Sequence, residues 1–167
     1  MLIFKEQTDF LKEEINIYHA GCLMMTLLTI AQKKVGKALS KKAILFIYYH
    51  LIKRGFMKDG KDRSNAKLIK DSCWIKDHAA VINEGFAFLI KPELRAKYVG
   101  CQYLDKKLGK SWGKFEGEYV ILHIRTFKGY GHFRLIDYDP YAPSLKYDKI
   151  LSVRYYKIEE KKNGKWH

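Results

Sequence analysis

Proline is scarce in this 167-residue chain, three residues in all, and cysteine equally so, with no CxxC pair among Cys22, Cys73 and Cys101. Few prolines leave helices and strands free of interruption. An odd number of widely spaced cysteines excludes a disulfide framework and a zinc ribbon, and points to a reducing, cytoplasmic compartment. Long apolar runs are missing too. The longest, Leu23 to Ala31 and Ala43 to Ile52, are too short to span a bilayer and are punctuated by Thr, Tyr and His. The start, Met1-Leu-Ile-Phe-Lys-Glu-Gln-Thr-Asp9, carries charged and polar residues where a secretory signal needs its apolar core, so a soluble intracellular protein is expected.

Acidic residues are in deficit as well: 18 against 32 basic ones, for a net charge of +14. That balance predicts attraction to anionic partners, nucleic acid or another anionic polymer. The lysines (Lys33, Lys34, Lys41, Lys42, Lys106, Lys107, Lys161, Lys162) are nevertheless spread along the chain rather than gathered into one stripe, as solvated faces would be. What the chain does have is apolar bulk, 47% hydrophobic and 14% aromatic with 12 Tyr, enough for one globular domain over residues 1–167.

The N-terminal half reads as helical. Thr8 or Asp9 caps a short first helix to about Ile15; a second runs from Cys22 to about Lys34 and stops at Gly36; Ser40 caps a third, Ala43 to Lys53, closed by Gly55. The second is apolar on nearly all sides, which marks it as central. Residues 58–70 read as a polar surface loop, and Asp77 opens a further helix that ends before Pro92. The period then changes to that of strands: Glu118 to Arg125, a turn through Lys128-Gly-Tyr-Gly131, then His132 to Asp137, and a last strand from Ile150 to Ile158 before a basic tail. Helices first and strands last predict an α+β domain, its central helix beginning at Cys22.

Cys22 stands at the head of that helix, where unpaired amides and the positive end of the dipole favour the thiolate. A buried structural cysteine is the plainer reading of such a position. A nucleophile needs a base, and His132, directly after a glycine turn and at the start of a strand, is the best placed of the six histidines. His123 falls mid-strand, and His19 has no third ligand nearby with which to hold a metal. Downstream of His132, Asp137 or Asp139 could fix the imidazole tautomer, although Asp-Tyr-Asp-Pro is also a turn. Asn16, six residues before Cys22, could donate its amide to an oxyanion beside the Cys22 backbone N–H, or simply serve as a cap. No cofactor or metal is expected.

An amide, a cysteine opening a long apolar helix (Ala20-Gly21-Cys22-Leu23-Met24), then Gly131-His132-Phe133-Arg134-Leu135-Ile136 and a downstream Asp139-Pro140: in this order the chain resembles the papain-like cysteine peptidase superfamily. It is most similar to compact bacterial members, the bacteriocin-leader-processing type and related phage- and plasmid-borne proteins. The resemblance covers about Asn16 to Ile158. It implies a papain-like fold, with the helices packed on a C-terminal antiparallel sheet, and thiol-dependent cleavage of a peptide or amide bond. Cys22 would be the nucleophile, His132 the base and acid, Asp139 or Asp137 the orienting carboxylate and Asn16 the oxyanion amide. The superfamily usually has Gln where Asn16 stands, and a full hairpin where 139 minus 132 leaves seven residues. A scaffold without catalysis, holding an anionic or protein partner through its basic surface, is the competing expectation.

Overall fold

The computed structural model of the chain describes residues 3–14, 17, 21–58, 75–103, 119–126, 131–136 and 147–167. A 3-10 turn at Gln7–Phe10 precedes three helices, α1 (Cys22–Val35), α2 (Lys41–Lys53) and α3 (His78–Phe88). Five strands follow: β1 (Leu94–Tyr103), β2 (Tyr119–Thr126), β3 (Gly131–Leu135), β4 (Tyr147–Lys162) and β5 (Lys165–Trp166). The architecture is α+β, with N-terminal helices and a C-terminal sheet. The chain divides into two compact units, Met1–Ala96 with Glu159–His167, and Lys97–Ile158.

In the first unit α1 is buried from Cys22 to Gln32 with the single exception of Thr26, which is half-buried. Such burial is tolerable only if polar side chains find partners within the protein. Thr26 Oγ1 donates to the Cys22 carbonyl (2.6 Å) and Thr29 Oγ1 to the Met25 carbonyl (2.8 Å), each reaching back one turn. Gln32, fully buried, donates to the Leu28 carbonyl (3.2 Å) and accepts from the Leu39 amide (2.7 Å), so it also fixes the chain beyond the helix. Gly36 ends α1 in the left-handed region (φ 74), its N–H bonded to the Gln32 carbonyl.

Both other helices begin on a side-chain cap. Ser40 accepts from the Ala43 amide (3.1 Å) and Asp77 from the Ala80 amide (3.0 Å). α3 packs on both α1 and α2. At Gly85 the approach to α1 is so close that a Cβ would lie 2.8 Å from Ala31 Cβ. Toward the strands, Asn83 Oδ1 accepts from the Ala96 amide (2.7 Å), Arg95 pairs with Glu159 (2.6 Å), and the Arg95 guanidinium lies over the Trp166 ring (4.2 Å).

The sheet has the order β1-β4-β2-β3, with β5 paired to β4. β2 pairs antiparallel with β3, His123 facing Phe133 and Ile121 facing Leu135, and antiparallel with β4, His123 facing Ser152 and Ile121 facing Arg154. A shift between His123 and Ile124 sets two β2 residues against Ser152 and Ile150, leaving Leu151 as a bulge. On one side of the sheet Leu122, Ile124, Ile150, Val153 and Tyr155 form a buried cluster, with Val120 and Ile136 against it.

Three elements differ from the sequence expectation. Near Thr8 and Asp9 there is a 3-10 turn, not a helix reaching Ile15, and Asp9 Oδ2 accepts from the Glu6 amide (2.8 Å) instead of capping a later turn. Strand β1 is unforeseen. It lies at a sheet edge and only Ala96 in it is buried, so its pattern lacks the apolar alternation of a half-buried strand. The basic tail is a hairpin, in which β4 continues to Lys162 and turns back through Asn163 (φ 51) and Gly164 (φ 74). Two left-handed residues in an Asn-Gly loop define the turn that best matches strand twist.

Replacing Gly85 by Val should lower stability by about 1–3 kcal/mol, because the new side chain overpacks the α1–α3 contact. Denaturant unfolding should show a lower midpoint at unchanged slope; an unchanged midpoint would mean that the two helices are not held this close.

Candidate functional site

Cys22 is the first residue of α1 and is 8% exposed. The turn before it is closed by the Gly21 amide, bonded to the Ile17 carbonyl (2.8 Å), while the Gly21 carbonyl accepts from Met25 (2.8 Å) as the first bond of the helix. Gly21 has no room for a side chain, since a Cβ would sit 2.5 Å from the Ile17 carbonyl oxygen. Gly21 is therefore held against Ile17 by a close approach that only glycine permits. Helix polarity then gives Cys22 an electropositive setting.

His132 is the second residue of β3, an edge strand, and is half-buried. It pairs with Ile124 and so shares its side of the sheet with the Leu122, Ile124, Ile150, Val153 and Tyr155 cluster. Cys22 belongs to the first compact unit and His132 to the second. Asn16, Asp137 and Asp139 lie outside the described residues, as do His19 and Cys73. Among the described residues no group of three or more His, Cys, Asp or Glu is placed to hold a metal ion. No described helix is long and apolar enough to cross a membrane.

The opposite side of the sheet carries three polar side chains that the amino-acid pattern alone did not bring forward. His123, Ser152 and Arg154 lie there among Ile121, Phe133 and Leu135. The His123 ring stacks on Phe133 with centroids 4.2 Å apart and planes 13° from parallel. Arg154 lies over Phe133 at 5.0 Å and donates from Nη1 to Ser152 Oγ (2.8 Å). Gly131 leaves room for the imidazole, for a Cβ there would be 2.9 Å from His123 Nε2. Burial, then the Arg154 charge and then His132 push the His123 imidazole down from its usual 6.5 to about 4. It is therefore neutral at physiological pH.

A trace of this cluster is present in the sequence. In Ile150-Leu-Ser-Val-Arg-Tyr-Tyr156 the residues flanking the polar pair are apolar or aromatic on both strand faces, so Ser152 and Arg154, two apart, had to share a buried face.

No protein-family model matches the chain, and neither the curated proteins nor the solved structures contain a match to it.

The low value at His123 has a consequence with a definite sign. Its folded pKa lies below its unfolded one, so the unfolded chain takes up a proton between about pH 6.5 and 4 that folded His123 refuses. Its contribution to stability is whole above pH 6.5 and is lost as pH falls through that window. His123→Phe should therefore flatten the acid side of the stability curve measured by denaturant unfolding from pH 7 to 4. Curves of equal slope in parent and variant would show that His123 titrates normally.

Proposed function

We propose that the chain is a papain-like thiol hydrolase that cleaves a peptide or amide bond. Cys22 attacks the carbonyl, and His132 takes the thiol proton and returns it to the leaving amine. Water, deprotonated by His132, then hydrolyses the Cys22 thioester to release the acid and restore the thiol. Asp139 or Asp137 orients the imidazole, and the Asn16 amide with the Cys22 backbone N–H stabilises the tetrahedral oxyanion. The observation that carries the reading is the position of the thiol: first residue of a 14-residue helix, behind a glycine with no space for a side chain. A buried structural cysteine is at home in that position too, but a nucleophile gains there from the positive end of the helix dipole. The order of Asn16, Cys22, His132 and Asp139-Pro140 along the chain gives the reading its second support.

One observation favours the competing reading, a scaffold without catalysis. Cys22 is 8% exposed, the burial of a small core side chain. In that case the net charge of +14 becomes the functional property, and an anionic polymer or an acidic protein surface is the partner.

Labelling with iodoacetamide separates the two. A reactive Cys22 is modified at neutral pH within minutes, the modification disappears in Cys22→Ala, and Cys73→Ala and Cys101→Ala leave it intact. Cys22→Ala should also abolish any peptide hydrolysis the parent shows. Equal labelling of parent and Cys22→Ala would exclude Cys22 as the nucleophile.

A further inference from the structure

Arg154 is a buried cation that pairs with no anion among the described residues. It is 7% exposed, and among the described residues it hydrogen-bonds to the neutral hydroxyl of Ser152, itself fully buried. The guanidinium also lies over the face of Phe133, and its charge acts on the Tyr98 and Tyr156 hydroxyls. Among the described residues no carboxylate pairs with it, and Glu159 is paired with Arg95. A guanidinium presents five N–H donors in a planar fork that fits a carboxylate with two parallel bonds, and a full charge taken out of water without a counter-charge is strongly unfavourable. A chain that holds such a group in place has either a structural use for it or a ligand that completes it.

The surroundings favour a ligand. His123 lies on the same side of the sheet, close enough for the Arg154 charge to oppose its protonation, and among the described residues neither of its ring nitrogens has a hydrogen-bond partner. Ser152 holds the guanidinium from one side and Phe133 supports it from another, so the fork is already oriented. The bulge at Leu151 stands directly before Ser152, where it sets the direction of the polar pair.

We infer that Arg154, with His123 and Ser152 beside it, forms a binding site for a ligand carboxylate on this side of the sheet. Charge selects the class. The site holds one positive charge, Arg154, because the imidazole is neutral, and a carboxylate brings one negative charge to meet it. A phosphate monoester brings close to two at neutral pH and would leave one unbalanced in a buried place. Guanidinium supplies the two-pronged donor, and neutral His123 supplies one further N–H. A bound carboxylate also offsets the Arg154 field at the imidazole, so binding and proton uptake by His123 are linked. Cys22 takes no part, and the site stands whether or not the chain is a hydrolase.

The test uses the full chain labelled with 15N,13C-histidine, with the His123 resonances assigned by comparison with His123→Gln. Sodium acetate is the probe, sodium chloride at equal ionic strength is the control, and inorganic phosphate is the competitor. Acetate should move the His123 ring signals saturably, with half-saturation in roughly the millimolar range. It should also raise the pH midpoint of His123, and chloride should do neither. Arg154→Met, which removes an unpaired buried charge and keeps the side chain's length, should stay folded and lose the acetate response; Arg154→Lys should keep it only weakly. Cys22→Ala should respond like the parent. The inference fails if acetate produces no saturable shift, the outcome expected when one of the chain's own aspartates fills the place. It fails equally if Arg154→Met responds like the parent, or if phosphate binds more tightly than acetate. Should Arg154→Met not fold, the contrast between acetate and chloride on the parent decides the matter alone.

Discussion

A helix buried on nearly every side has to satisfy its polar groups from within, and the first unit is organised around that demand. α1 meets it with Thr26 and Thr29 bonded back along the helix and with Gln32 tying its last turns to Leu39. The same burial requires neighbours that come close, which Gly85 of α3 does against Ala31. A helix so constrained cannot rotate or slide without breaking several of these contacts at once. Its first residue is accordingly held in a fixed place. That residue is Cys22, and Gly21 extends the constraint one position further back through its contact with Ile17. The proposed chemistry rests on this packing before it rests on any titratable group.

Charge is arranged in two ways in this molecule. Most basic side chains among the described residues are exposed, where water and salt screen them and where they act on partners at long range. Among the described residues Arg154 is the exception, a cation carried into a sheet face among aromatic and aliphatic side chains. Its field reaches His123 and helps to hold the imidazole neutral. The two histidines of the β2–β3 pair are therefore unlike. His123 lies within a stacked, desolvated setting, and His132 lies on the other side of the sheet in the edge strand.

What could be read from the amino acids follows the strength of local signals. The extent of α1, the Ser40 and Asp77 caps and the left-handed Gly36 were legible, since each depends on residues within one helical turn. Strands β2, β3 and most of β4 showed as runs of β-branched and aromatic residues. β1 did not, because an edge strand with a single buried residue carries little apolar pattern. The hairpin at Asn163-Gly164 was within reach of sequence reasoning, and the lysines around it drew it into a basic tail. The place of Cys22 at the head of α1 was legible from the apolar helix after it. The cluster of His123, Ser152 and Arg154 was not, since it arises from the registers of three strands, and register is a property of pairing that no single segment contains.

The central claim, that Cys22 is a nucleophile served by His132, is tested most directly by the pH dependence of Cys22 alkylation in the parent and in His132→Gln. The account predicts that the parent thiol stays reactive well into the acid range and that the variant loses this acid-range reactivity, as expected when an imidazolium stabilises a thiolate. Superimposable profiles would show that His132 does not serve Cys22, and the hydrolase reading would fall with them.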